Sequence, residues 1–161
     1  MASTKATGDI GEQLAAEYLE RQGYTILERN AKYAGCEADI ICCCEVKPDG
    51  TIVKPKKQNG LFSKLFGKHK SGSSQNRNTN RVTVFCEVKT RTGGEYGEAI
   101  EAVDAYKIGR YVTLAKAYAA RYFTANEDIR FDVIEVGQDG EINHVENAFT
   151  ANDARYPRKS F

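Results

Sequence analysis

Two runs constrain the fold of this chain most: CEADIICCC, residues 36 to 44, and RVTVFCEVKTR, residues 81 to 91. Both are rich in β-branched and apolar residues, the pattern of strands buried in a sheet. KPDG follows the first run and has turn chemistry, so the two are expected to pair antiparallel. A sheet containing such strands needs a second layer to cover it.

The rest of the sequence supplies that layer. GDIGEQLAAEYLERQG has helical periodicity, with Ile10, Leu14 and Tyr18 beside Gly11, Ala15 and Leu19 at i, i+4 spacing and Gly23 in the C-cap position. YTILERN reads as a strand. From about 99 to 122 the period is helical again, and Val103, Tyr111, Leu114, Ala115, Tyr118, Ala119 and Tyr122 form an apolar stripe. DIRFDVIEVG and EINHVENAF read as two further strands joined at Gln138-Asp139-Gly140. Helix, three strands, helix, two strands predicts an α/β fold with a mixed central sheet flanked by helices. The 161 residues, 41% of them apolar, suffice for one core, and residues 1–161 are expected to form a single domain.

Net charge is only +1, but it is segregated. Lys47 to Arg81 carries seven lysines and two arginines against Asp49 alone, a local +8, and the remainder, with 14 basic and 21 acidic residues, carries −7. Residues 47–80 are rich in Lys, Asn, Ser and Gly, and SGSSQNRNTN has too few apolar groups to offset its ordering entropy. This span is expected to be a basic, flexible insertion between the two middle strands. Within it, GLFSKLFGK sets Leu61, Phe62, Leu65 and Phe66 on one helical face. That pattern fits either a short helix docking on an apolar or anionic surface or a transient helix with no partner.

Cys36, Cys42, Cys43 and Cys44 lack the spread of a disulfide framework, and no CxxC pair suggests zinc. On an extended backbone Cys42 and Cys44 point one way and Cys43 the other, so they read as small buried thiols. No apolar run approaches the roughly 18 residues that span a bilayer, and MASTKATGDIGE has no apolar signal core. A cytoplasmic location is the expectation.

Alternation along VFCEVKTR puts Glu87, Lys89 and Arg91 on one face, and Glu37 and Asp39 likewise share a face. A hairpin opening at Glu45 and closing at Arg81 places Asp39 opposite Glu87 and Glu37 opposite Lys89. Opposed Cβ atoms lie roughly 5 Å apart. Two carboxylates so close repel unless a cation lies between them, and Mg²⁺ held by carboxylates and water would remove the repulsion. A lysine alongside could orient water or stabilise charge on a phosphate. The competing reading is an ion pair on a solvated sheet, worth about 0.2–1 kcal/mol. A second copy of the tripeptide, Glu45-Val46-Lys47, has no opposing acid and reads as a solvated strand end.

GEQLAAEYLERQGYTILERN, GCEADII, VFCEVKTR, YGEAIEAVDAYKIGRYVTLAKAY, RFDVIEV and HVENAF, in that order, resemble the pattern of the YraN-like bacterial proteins. The resemblance covers nearly the whole chain apart from residues 46 to 80. That family is assigned to the PD-(D/E)xK nuclease superfamily, near the archaeal Holliday-junction resolvases, so the resemblance implies a restriction-endonuclease-like core with a long basic hairpin insertion. It makes Asp39 the motif aspartate, Glu87 the second acid and Lys89 the motif lysine, with Glu12 a further acid. It implies Mg²⁺ (or Mn²⁺) held by Asp39, Glu87 and the Val88 carbonyl, DNA as the partner, and the homodimer used by junction-cutting relatives. Arg91, Lys107, Arg110 and, in the insertion, Lys56 and Lys57 are the expected nucleic-acid contacts. Ala38, where the family prefers a larger aliphatic, and the insertion itself depart from its pattern.

Two functions therefore stand at the level of sequence. One is a metal-dependent endonuclease acting on structured or branched DNA. The other is a non-catalytic nucleic-acid-binding or partner-binding module that works through the basic insertion.

Overall fold

The structure, a computed structural model, describes residues 4–53, 79–91, 103–123 and 127–154, with side chains from residue 7 onward. Its elements are α1 (Thr4–Gln22), β1 (Thr25–Tyr33), β2 (Cys36–Val46), β3 (Asn80–Thr90), α2 (Ala105–Tyr122), β4 (Glu127–Val136) and β5 (Ile142–Phe149). The strands form one sheet in sequence order. Pairs β1–β2, β2–β3 and β4–β5 are antiparallel, whereas β3 and β4 run parallel. A parallel neighbour requires a crossover, and α2 lies in that connection. The sheet is mixed, as expected.

Alternation distributes the core between two faces. Ile40, Cys42, Val84, Cys86 and Ile134 point to one side, where Ala15, Ala16 and Leu19 of α1 cover them. Ile41, Phe85, Phe131 and Val133 point to the other, beneath Ile108, Tyr111, Leu114, Ala115 and Tyr118 of α2. Buried Cys42 and Cys44 pack under α1, whereas half-buried Cys43 faces Arg81. Cys42, Cys44 and Cys86 pack as small core residues, and all five thiols are free.

Helix α1 ends where Gly23 adopts φ 104°, with Tyr24 N–H donating to the Leu19 carbonyl and Gly23 N–H to that of Glu20. Its buried stripe is narrower than the expected one: Gly11, Ala15, Ala16 and Leu19 face the sheet, but Ile10 is 62% exposed. A side chain at Gly11 would place its Cβ 2.0 Å from Thr90 Oγ1, so this glycine lets the helix lie close on β3.

Helix α2 starts later than the expected 99. The Asp104 side chain accepts from Lys107 N–H at 2.7 Å and caps the helix, leaving Val103 buried but outside it. Residues 99–102 lie outside the described residues, as do Lys56, Lys57 and GLFSKLFGK.

β1 extends to Tyr33, and Ala34 and Gly35, both at positive φ, turn it into β2. The β2–β3 partners run from Ile40↔Cys86 to Glu45↔Arg81 and Val46↔Asn80, the register expected for a hairpin opening at Glu45 and closing at Arg81. Beyond Val46 the chain turns over Lys47–Gly50, and Ile52 bridges back to Val46. Glu45 and Lys47 of the second Glu-Val-Lys copy are exposed there.

Candidate active site

The site lies where β2 parts from β3. The last backbone pair is Ile40↔Cys86; at the next position the Asp39 carboxylate accepts from Val88 N–H at 2.7 Å. A strand residue directs its N–H and C=O to the same edge, so the Val88 carbonyl also faces this gap. The β1–β2 ladder omits the Asn30/Asp39 position, where Asn30 has φ 48° and its side-chain amide donates to Glu12 at 3.0 Å. Two neighbouring strands thus open around Asp39, and α1 delivers Glu12 to the same place.

Glu87 is only 3% exposed. Tyr111 O–H donates to its Oε2 at 2.8 Å, Lys89 Nζ lies 3.0 Å from its Oε1, and Lys107 Nζ donates to that same oxygen. Burial alone would raise the Glu87 pKa, but the ammonium groups of Lys107 and Lys89 outweigh it and hold the carboxyl below its usual value. Burial likewise opposes the charge of Lys89, yet Glu87 raises its pKa. Asp39 shows the opposite balance. Burial, then the negative charge of Glu87, push it up to about 7, against the lowering effects of Val88 N–H and Lys107 and with a small addition from Glu12.

This is the donor set that a hard divalent cation would complete. A cation between Asp39 and Glu87 would relieve the repulsion that raises Asp39, and oxygen ligands suit Mg²⁺. Among the described residues no three His, Cys, Asp or Glu side chains gather into a metal cluster. The remaining ligands would therefore be the Val88 carbonyl and water.

The other expected residues are placed as follows. Lys107 points into the site and pairs with Glu87. Arg110 donates to the Gly35 carbonyl at 3.2 Å, with its guanidinium 5.9 Å from the Tyr106 ring centre. Arg91 is committed to the fully buried Glu135 through Nη2 (2.6 Å) and Nε (3.1 Å), while Asn143 donates to the other carboxylate oxygen. The expected apposition of Glu37 and Lys89 is corrected: past Asp39, β2 stays with β1, exposed Glu37 pairs with Lys32 at 3.4 Å, and Lys89 turns to Glu87.

Two features exceed the sequence reading. Tyr111 is a hydrogen-bond donor to the site as well as a core residue. On the α1 side, buried Asp132 accepts from Arg130 and from Asn147 N–H, and His144 Nε2 lies 2.9 Å from it. Arg130 Nη2 and Asp132 Oδ2 lie 2.7 Å apart, and His144 joins this pair. Arg130 also donates to Tyr24 and pairs with Glu146.

A carboxylate pair with two ammonium groups, set where the antiparallel strands of a mixed sheet part, defines an α/β protein with a candidate site for a cation and a polyanion. Residues 11–65 and 72–136 match the profile of Uncharacterised protein family UPF0102, the YraN family, and the chain belongs to it. It is 34% identical to a UPF0102 protein of Symbiobacterium thermophilum, covering 92% of this chain and 99% of the relative. A UPF0102 protein of Alkaliphilus metalliredigens is 32% identical over 91% and 99%, and one of Geobacter metallireducens 34% over 90% and 93%. No helix among the described residues is long and apolar enough to cross a membrane.

Proposed function

We propose that this protein is a Mg²⁺- or Mn²⁺-dependent endonuclease with a PD-(D/E)xK core that hydrolyses phosphodiester bonds in structured or branched DNA. The observation that carries the reading is the meeting of Asp39, Glu87 and Lys89 in the gap beside Val88. Asp39, Glu87 and the Val88 carbonyl would hold the cation, which supplies charge stabilisation to the phosphate and lowers the pKa of a bound water. Lys89, 29% exposed at its side chain, would orient a water or neutralise a phosphate oxygen. Lys107 adds a second positive charge, and Asn30 holds Glu12 at the edge of the gap.

Cleavage of labelled single-stranded, duplex, flap and four-way-junction DNA with Mg²⁺ or Mn²⁺ tests this, using wild type, Lys89→Ala and Lys47→Ala. Cleavage lost in Lys89→Ala alone supports the reading and identifies the substrate. Unchanged cleavage by Lys89→Ala refutes the role of Lys89, and no cleavage by wild type favours a binding module acting through residues 47–80.

A further inference from the structure

Among the described residues, the large apolar side chains that stand exposed are Ile10, Tyr106 and Ile129. Ile129 pairs with Thr83 near the start of β4, at the far end of the sheet. The other two flank the site. Tyr106, 74% exposed, precedes Lys107, whose ammonium meets Glu87, and consecutive Cα atoms are only about 3.8 Å apart. Ile10 precedes Gly11, which lies against Thr90 next to Lys89. The two helices, one on each face of the sheet, thus each leave an apolar side chain uncovered at the C-terminal end of β3.

Tyr106 also has a charged companion. The Arg110 guanidinium stands over its ring and is tethered to the Gly35 carbonyl, which limits its freedom. The carboxylate of Asp104, the nearest acid on this helix, is taken up by Lys107 N–H. A planar ring beside a guanidinium, next to two lysines, matches what binds an unpaired nucleotide: the ring offers a face for the base and the cations neutralise its phosphates. A paired base inside a duplex has both faces stacked on its neighbours and cannot use such a platform. We infer that Tyr106, with Arg110, stacks an unpaired base of a DNA strand adjacent to the carboxylate site, and that Ile10 borders the same strand from α1. This rests on the proposed function for its substrate class, and it narrows that class to DNA with an unpaired strand at the cut.

The test uses a single-stranded oligonucleotide carrying 2-aminopurine, and the same base within a duplex, titrated with the full chain without divalent metal. Stacking is expected to quench the single-stranded probe and leave the duplex probe little changed. Tyr106→Ala should lose the quenching and bind about 5- to 100-fold more weakly, whereas Tyr106→Phe should keep both. Circular dichroism of Tyr106→Ala should match wild type, because the side chain is exposed. Equal quenching of both probes, unaltered quenching and affinity in Tyr106→Ala, or no binding of the single strand would overturn the inference. Quenching by a chain that cuts no DNA would support it while refuting the endonuclease reading.

Discussion

Tyr111 O–H lies 2.8 Å from Oε2 of Glu87 and 3.1 Å from the Cys86 carbonyl, so one core hydroxyl fixes both a site carboxylate and the strand that carries it. Tyr111→Phe keeps the ring and removes the donor. The expected loss is about 1–2 kcal/mol, the cost of a buried acceptor left without its partner. Tyr111→Ala should cost about 3–5 kcal/mol, because the ring also packs on Phe131 and Phe149. Urea denaturation distinguishes them: equal losses would mean that the hydroxyl, and not the ring, dominates.

Arg91→Ala should destabilise the fold by about 3–5 kcal/mol, since it leaves the carboxylate of fully buried Glu135 without its charged partner. Any fall in DNA affinity must then be measured on protein shown to be folded. A Tm unchanged in Arg91→Ala would exclude the ion pair as a structural element.

Gly11→Ala should be destabilising by about 1–3 kcal/mol, because the new Cβ collides with Thr90 Oγ1. Adding Thr90→Ala removes the obstructing atoms, so the double variant should recover part of the loss. Strict additivity of the two single effects would show that the helix moves away instead.

Acid sensitivity should arise in part at Asp132. Burial would raise its pKa, but His144, Arg130 and Asn147 N–H together hold it below the usual value of 3.8. A carboxyl depressed in the folded state binds fewer protons there than in the unfolded chain. Its stabilisation is therefore complete above about pH 5 and is lost as pH falls through 3.8 toward the folded value. Urea unfolding between pH 3 and 7 should show a shallower acid decline for Asp132→Asn than for wild type, on a lower plateau. Parallel acid limbs would rule Asp132 out.

The register that sets Asp39 level with Glu87 followed from taking the hairpin to open at Glu45, just before the KPDG turn, and to close at Arg81, the pair that the strands form. The helices were legible from their period, though not in detail. Ile10 fits the apolar period of α1 yet stays outside, because close contact at Gly11 rotates the buried face toward Ala15 and Ala16. Lys107 read as a residue facing phosphates, and only the folded position of α2 shows that it meets Glu87. The Asp132–His144 contact depends on the irregularity between β4 and β5 near Phe131, where Asn147 takes φ 51°. Such a bulge changes which residues meet and leaves no mark in composition or period.

The turn over Lys47–Gly50 and the carboxylate gap occupy opposite ends of the same strand pair. The steps from residue 46 back to residue 40 span about 20 Å at roughly 3.4 Å per residue. Sequence entering between Val46 and Asn80 can therefore lengthen, shorten or change composition without disturbing the carboxylate geometry. For evolution and for the protein engineer alike, that junction is a grafting point, where a new appendage can be added while the arrangement of Asp39, Glu87 and Lys89 is inherited intact.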